Sequence, residues 1–177
     1  MSCPRVVSRA EWGAREPVEQ SDSLPDMLPM MFVHHSAMQE CWDLESCSQA
    51  VRDIQDLHID GNGWWDIGYS FLIGGDGNIY EGRGWNIQGA HTGGFNTVGY
   101  GACFMGDFTD HNPSEQAIVA YTSLVQCAVD TNKIVQDYTM YGHRQTKPPG
   151  GTECPGDTFY QTIQDWPHWV SFQYLCK

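Results

Sequence analysis

Apolar and polar positions along the chain fall into short runs whose period changes several times. Met31-Phe-Val-His-His is an apolar run that stops at two histidines, the pattern of a buried strand. From Ser48 to Leu57 the apolar residues Val51, Ile54 and Leu57 recur at helical spacing. Asp66 to Ile73 and Ile79 to Arg83 flank Gly-Gly-Asp-Gly-Asn, which predicts two strands joined by a glycine-rich turn. Val98 to Phe108 reads as a strand buried on both faces, with Gly99 and Gly101 allowing close backbone approach. Pro113-Ser-Glu-Gln opens a helix whose apolar stripe is Ile118, Tyr121, Leu124, Val125 and Ala128. Tyr138 to Tyr141 is a brief strand leading to His143, and Pro148-Pro-Gly-Gly then places Thr152 and Cys154 on a loop. Thr158 to Phe172 predicts a last helix, interrupted at Pro167. Residues 1–30, with Pro4, Pro17, Pro25 and Pro29, read as an irregular arm packed on a body spanning 31–177. Strands interleaved with helices, plus a hairpin, define an α/β class: one domain, a central mixed β-sheet and about three flanking helices.

Composition narrows the functional classes. A chain of 177 residues, 41% apolar and 18% charged, suits one globular domain and excludes disorder. No run approaches the roughly 20 apolar residues of a membrane span. A net charge of −13 opposes nucleic acid or an anionic membrane as the main partner. Seven cysteines is an odd count; if one ligates a metal, six remain for disulfides, and Cys41 and Cys47 are close enough for a local clip. Disulfides persist in oxidising compartments, so we expect a secreted domain. The start Met-Ser-Cys-Pro-Arg has no apolar core of a signal peptide, so the targeting segment is expected to lie outside this sequence. A cytosolic protein with free thiols is the alternative.

The candidate chemistry centres on Cys154, His143 and the His34-His35 pair. A thiolate and two imidazoles form a donor set for zinc, and three protein ligands leave one tetrahedral position open. Spacing alone leaves other readings standing: a Cys154 nucleophile activated by His143, a disulfide at Cys154, or histidines that merely fill polar positions. A second group gathers His58, Gly63-Trp64-Trp65-Asp66, Tyr69, Arg83 with Trp85, and His91-Thr92. Aromatic faces and imidazoles between glycines suit sugar and peptide recognition. Arg83 could clamp a carboxylate; taken by itself, an ion pair with Glu81 or Asp66 is the simpler role.

Six blocks in order then resemble the peptidoglycan recognition proteins of animals, relatives of the amidase-type lysozymes of bacteriophages. They are Val6 to Arg15, Val33-His-His-Ser, Trp65 to Gly77, Tyr80-Glu-Gly-Arg-Gly-Trp, Gly89-Ala-His-Thr and Gly142-His-Arg-Gln. The resemblance implies the type 2 amidase fold and one Zn²⁺ per chain held by His34, His143 and Cys154, with Tyr69 and Thr152 lining the reaction centre. Non-catalytic members typically lack the cysteine. The implied activity is hydrolysis of the amide between the lactyl group of muramic acid and L-alanine, in innate immunity. A receptor that binds peptidoglycan without cutting is the alternative. The resemblance places His35, His58, His91 and Asn96 along the groove. It associates Gly63-Trp64 and Arg83 with stems carrying meso-diaminopimelate, which turns Arg83 toward the clamp. It also implies disulfides Cys41–Cys47 and Cys3–Cys127, leaving Cys103 and Cys176 unplaced. Ser70 and Trp65 depart from the usual pattern.

Overall fold

The computed structural model describes residues 3–171. Six strands form one sheet: β1 (Val6–Val7), β2 (Leu28–His35), β3 (Phe71–Ile73), β4 (Ile79–Glu81), β5 (Gly99–Phe104) and β6 (Ile134–Gly142). Their order is β1-β4-β3-β5-β2-β6. Only β3 and β4 run antiparallel; the other neighbours are parallel, so the sheet is mixed as expected. Four helices surround it: α1 (Arg9–Trp12), α2 (Leu44–Asp56), α3 (Glu115–Asp130) and α4 (Asp157–Ile163).

The helices cover both faces. Alternation along β2 sends Met31 and Val33 into a core shared with Tyr121, Leu124 and Phe159 of α3 and α4. On the other face Leu72, Tyr80 and Cys103 pack with Trp12, Val51 and Ile54 of α1 and α2. Helix α2 begins where Asp43 accepts the Ser46 backbone N–H at 2.8 Å, and the Cys41–Cys47 disulfide ties its first turn to the chain before it. Helix α3 is capped by Ser114 and tied to the N-terminal arm by the Cys3–Cys127 disulfide. Both bridges are the pairs the family resemblance implies. Cys103 keeps a free buried thiol, and Cys176 lies outside the described residues.

Several boundaries differ from the hydrophobic pattern: α2 starts at Leu44 rather than Ser48, β3 at Phe71 rather than Asp66 and β6 at Ile134 rather than Tyr138, while β5 ends at Phe104 rather than Phe108. The arm is not wholly irregular: Val6–Val7 pairs with β4, and Ser8 and Glu11 form a reciprocal cap on α1. Trp12 anchors this piece, fully buried with its indole N–H donating to the Glu81 carbonyl at 2.8 Å. β2 starts at Leu28 rather than Met31, because Pro29 and Met30 extend the strand toward β6. The last helix ends at Ile163; beyond it the chain turns so that Trp169 bridges to Met140. Among the described residues no helix is long and apolar enough to cross a membrane.

Candidate metal centre

Parallel pairing brings the distant histidines together. Val33 of β2 lies in register with Gly142 of β6, so His34, next to last in β2, and His143, just past β6, come side by side at one end of the sheet. Their ring centroids are 4.5 Å apart. Ligands commonly gather beyond the carboxyl ends of parallel strands, and this sheet obeys that rule. Cys154 arrives on the loop after β6, where Arg144 organises the approach. The Arg144 backbone N–H donates to the Cys154 carbonyl at 2.9 Å, its guanidinium grips the Glu153 carbonyl and Asp157, and its face stacks on Tyr160. The result places one ligand atom from each of His34, His143 and Cys154 within 4.8 Å of the others. Cys154 Sγ lies 3.6 Å from His34 Nδ1 and accepts the His35 backbone N–H at 3.4 Å.

The electrostatics of this trio favour a cation. Burial, with His143, His91 and His35 around it, holds the His34 imidazole neutral, well below its ordinary pKa. Burial, with Lys147 and His35 adding to it, lowers His143 to about 4. Both rings therefore offer lone pairs at neutral pH. Burial also pushes the Cys154 thiol up to about 12, against the pull of the His35 N–H and Arg144. A buried thiolate lacks a full countercharge here, and a borderline-soft divalent cation is the group that supplies one.

A cleft of about 390 Å³ opens over the trio, lined by His35, Tyr69, Asp107, His143, Thr152 and Cys154 among others. Thr152 Oγ1 accepts the Cys154 backbone N–H at 3.2 Å. The Tyr69 ring sits 5.3 Å from His34. Burial and the neighbouring Cys103 and Cys154 thiols hold its phenol well above the usual range, so it keeps its proton. From there aromatic rings continue outward: Tyr69 to His58 at 5.5 Å, and His58 to Trp64 at 4.6 Å. Gly63, at φ 70°, makes the turn that presents the half-exposed Trp64. Of the two departures, Ser70 is buried and accepts the Gly101 N–H, while Trp65 stands exposed beside the arm.

Not every candidate from the sequence stands in the cleft. His91 and Asn96 lie behind the trio. Asn96 Oδ1 accepts the backbone N–H groups of His91 and Thr92, and the His91 ring is buried. Arg83 does not stand free as a fork. Nε donates to the Ile67 carbonyl, Nη1 to Ser21 Oγ and the Gln88 carbonyl, and Nη2 to the Asp66 carbonyl. One Nη2 proton remains without a partner among the described residues. The Asp66 carboxylate pairs instead with Arg9 at 3.0 Å. Two residues had no individual role in the sequence: Arg144, present only as part of the Gly142-His-Arg-Gln block, and Thr92, grouped with His91 among the recognition candidates.

A mixed-sheet α/β/α domain with two imidazoles and a thiol at its strand ends has the architecture of an amide-hydrolase class, and the family described as N-acetylmuramoyl-L-alanine amidase matches residues 26–157. Among relatives, peptidoglycan-recognition protein SC2 of Drosophila simulans is 42% identical over 93% of this chain and 87% of its own. The chain belongs to the peptidoglycan recognition protein family. A human protein named N-acetylmuramoyl-L-alanine amidase is 38% identical over 97% of this chain, which spans 30% of that protein. Peptidoglycan recognition protein LE, solved with tracheal cytotoxin (monomeric diaminopimelic acid-type peptidoglycan), superposes with a TM-score of 0.90 at 36% identity, covering 93% of this chain and 95% of that one.

Proposed function

We propose that this chain is a secreted, zinc-dependent N-acetylmuramoyl-L-alanine amidase that binds bacterial peptidoglycan and hydrolyses the lactyl–L-alanine amide, serving innate immunity. The observation that carries this reading is the convergence of His34, His143 and Cys154 beside an open cleft that His143 and Cys154 line. Two neutral imidazoles and one thiolate fit zinc and leave a fourth position for substrate or water. When bound there, zinc supplies Lewis acidity toward the scissile carbonyl and activates a water nucleophile near neutral pH.

The chain's own residues do the remaining work. Tyr69, protonated at neutral pH, donates its O–H to negative charge developing on the amide oxygen. Thr152 Oγ1 accepts the Cys154 N–H and keeps its own proton to donate to the substrate. His35 Nδ1 accepts the Phe108 N–H, so its proton resides on Nε2 as a donor. His58 does the same through the Gly68 N–H and, with Trp64, forms a ring-lined floor for the stem peptide. For the stem we propose a preference for meso-diaminopimelate, met by Gly63-Trp64 and the remaining Nη2 proton of Arg83. The two disulfides support an oxidising, extracellular setting.

A receptor that only binds could use the same ring-lined floor, and the trio separates the two readings. Mass spectrometry of muropeptides from diaminopimelate-type peptidoglycan, with and without chelator, tests this directly. We expect one zinc per chain, release of free L-alanine amines, and loss of both on chelation. Cys154→Ser should abolish cleavage yet retain binding. A wild-type protein that takes up no zinc, or a Cys154→Ser variant that still cleaves, sinks the proposal.

A further inference from the structure

His34 has two ring nitrogens, and their partners differ. Nδ1 faces Cys154 Sγ at 3.6 Å, whereas Nε2 lies 3.1 Å from Thr92 Oγ1. That hydroxyl is also 2.8 Å from His91 Nδ1, and Thr92 is completely buried. Three buried groups thus form one chain of hydrogen bonds behind the metal-facing nitrogen. Thr92 has a single proton to give, and among the described residues only the two rings can accept it, so a chain in which that proton is used permits two arrays. In one, His34 Nε2–H donates to Oγ1, and Oγ1–H donates to His91 Nδ1. In the other every donor reverses, and the His34 proton sits on Nδ1, facing the thiol and blocking ligation. Only the first leaves a lone pair on Nδ1.

The surroundings favour the first array. His91 then carries its proton on Nε2, which has no hydrogen-bond partner among the described residues, while the Cys154 thiol, 3.6 Å from His34 Nδ1, has a proton to donate to a lone pair there. The ring's position is built in. A Cβ on Gly101 would fall 2.3 Å from the ring, and one on Gly89 2.5 Å, so both glycines leave room for it. Asn96 fixes the other end, holding the Thr92 and His91 backbone N–H groups at 2.8 and 3.0 Å. Rotation of Thr92 away from His34 would leave a buried hydroxyl and a buried ring nitrogen unpaired.

We propose that Thr92 is a positioning residue: its hydroxyl, backed by His91, fixes His34 in the Nε2-protonated form and aims Nδ1 at the metal. This rests on the metal reading above. Outer hydrogen-bond partners of ligating histidines typically govern metal affinity by 10–100-fold.

The test compares Thr92→Val, which keeps the shape, with Thr92→Ser, which keeps the hydroxyl. Zinc affinity is read by chelator competition, and the His34 tautomer by imidazole ¹⁵N NMR of the apoprotein. Thermal unfolding of the apo forms shows that each variant folds. We expect Thr92→Val to bind zinc about 10–100-fold more weakly and to lose the single Nε2-protonated signal, with Thr92→Ser close to wild type. Wild-type affinity and an unchanged tautomer in Thr92→Val overturn the proposal, as does a Thr92→Ser variant as weak as Thr92→Val. A wild-type protein that shows the single Nε2-protonated signal, lost in Thr92→Val, but takes up no zinc sinks the metal reading alone.

Discussion

Arg83 serves the fold before it serves a ligand. Its guanidinium bridges three stretches of chain, taking the Ile67 and Asp66 carbonyls, the Gln88 carbonyl, and Ser21 from the arm. Burial lowers its pKa somewhat, and the nearby Asp66 opposes that shift. Truncation would strand those acceptors, and each buried unpaired group costs about 1–3 kcal/mol. Arg83→Ala should therefore lower stability by about 2–4 kcal/mol in urea unfolding, partial solvation offsetting some of the loss. Arg83→Lys should recover less than half, because an ammonium cannot reproduce a planar fork. Binding to diaminopimelate-type fragments should weaken in both variants. An alanine variant as stable as wild type, and deficient only in ligand binding, would show that the arginine acts purely as a clamp.

At the scale of elements, the site depends on where parallel strands end and on what holds the loop beyond them. The 3₁₀ turn His143–Thr146 and the Cys154 loop meet through Arg144. Arg144→Ala should free that loop and weaken zinc binding about tenfold, with α3 and the sheet unaffected, measured by chelator competition beside far-ultraviolet circular dichroism. Unchanged affinity would mean that the loop holds itself. Much of this architecture is legible in local pattern. Helical spacing marks α2 and α3, the glycine-rich turn marks the β3–β4 hairpin, and the apolar run of β2 points at His34. Parallel pairing leaves no such local mark, so the meeting of residues 34, 143 and 154 came from the family resemblance rather than from spacing. β1 and α1 hid for another reason: six residues carry too little periodicity, and their stability comes from Trp12 and β4. The Thr92 contact joins side chains far apart in sequence, and the bracket around Arg83 is mostly backbone carbonyls, so neither leaves a local mark in the pattern.

For the whole molecule, the decisive titrations belong to buried histidines rather than to the net charge of −13. Burial lowers His34, His35, His58, His91 and His143 alike, with His58 and His143 brought to about 4 and His91 to about 3. In the unfolded chain each titrates near 6.5. Between those values the unfolded state binds more protons than the fold, so stability is complete above about pH 6.5 and is lost as pH falls toward 4. Carboxylate protonation in the same window relaxes surface repulsion and opposes this trend. Those charges are mostly exposed and screened beyond about 10 Å at 0.1 M salt, whereas the imidazoles are not. The histidines should win. Urea unfolding of the chelated protein at pH 7.5, 5.5 and 4.5 should show a steady fall in stability, with more than one proton taken up per unfolding event. His58→Gln should flatten that slope, because it removes one depressed imidazole without touching the trio. Zinc-loaded protein should start more stable and fall more steeply, since protons compete with the metal for the same nitrogens and sulfur. Stability independent of pH across this window would mean that the rings are hydrated in solution, and the closed, cation-ready centre would lose its electrostatic basis.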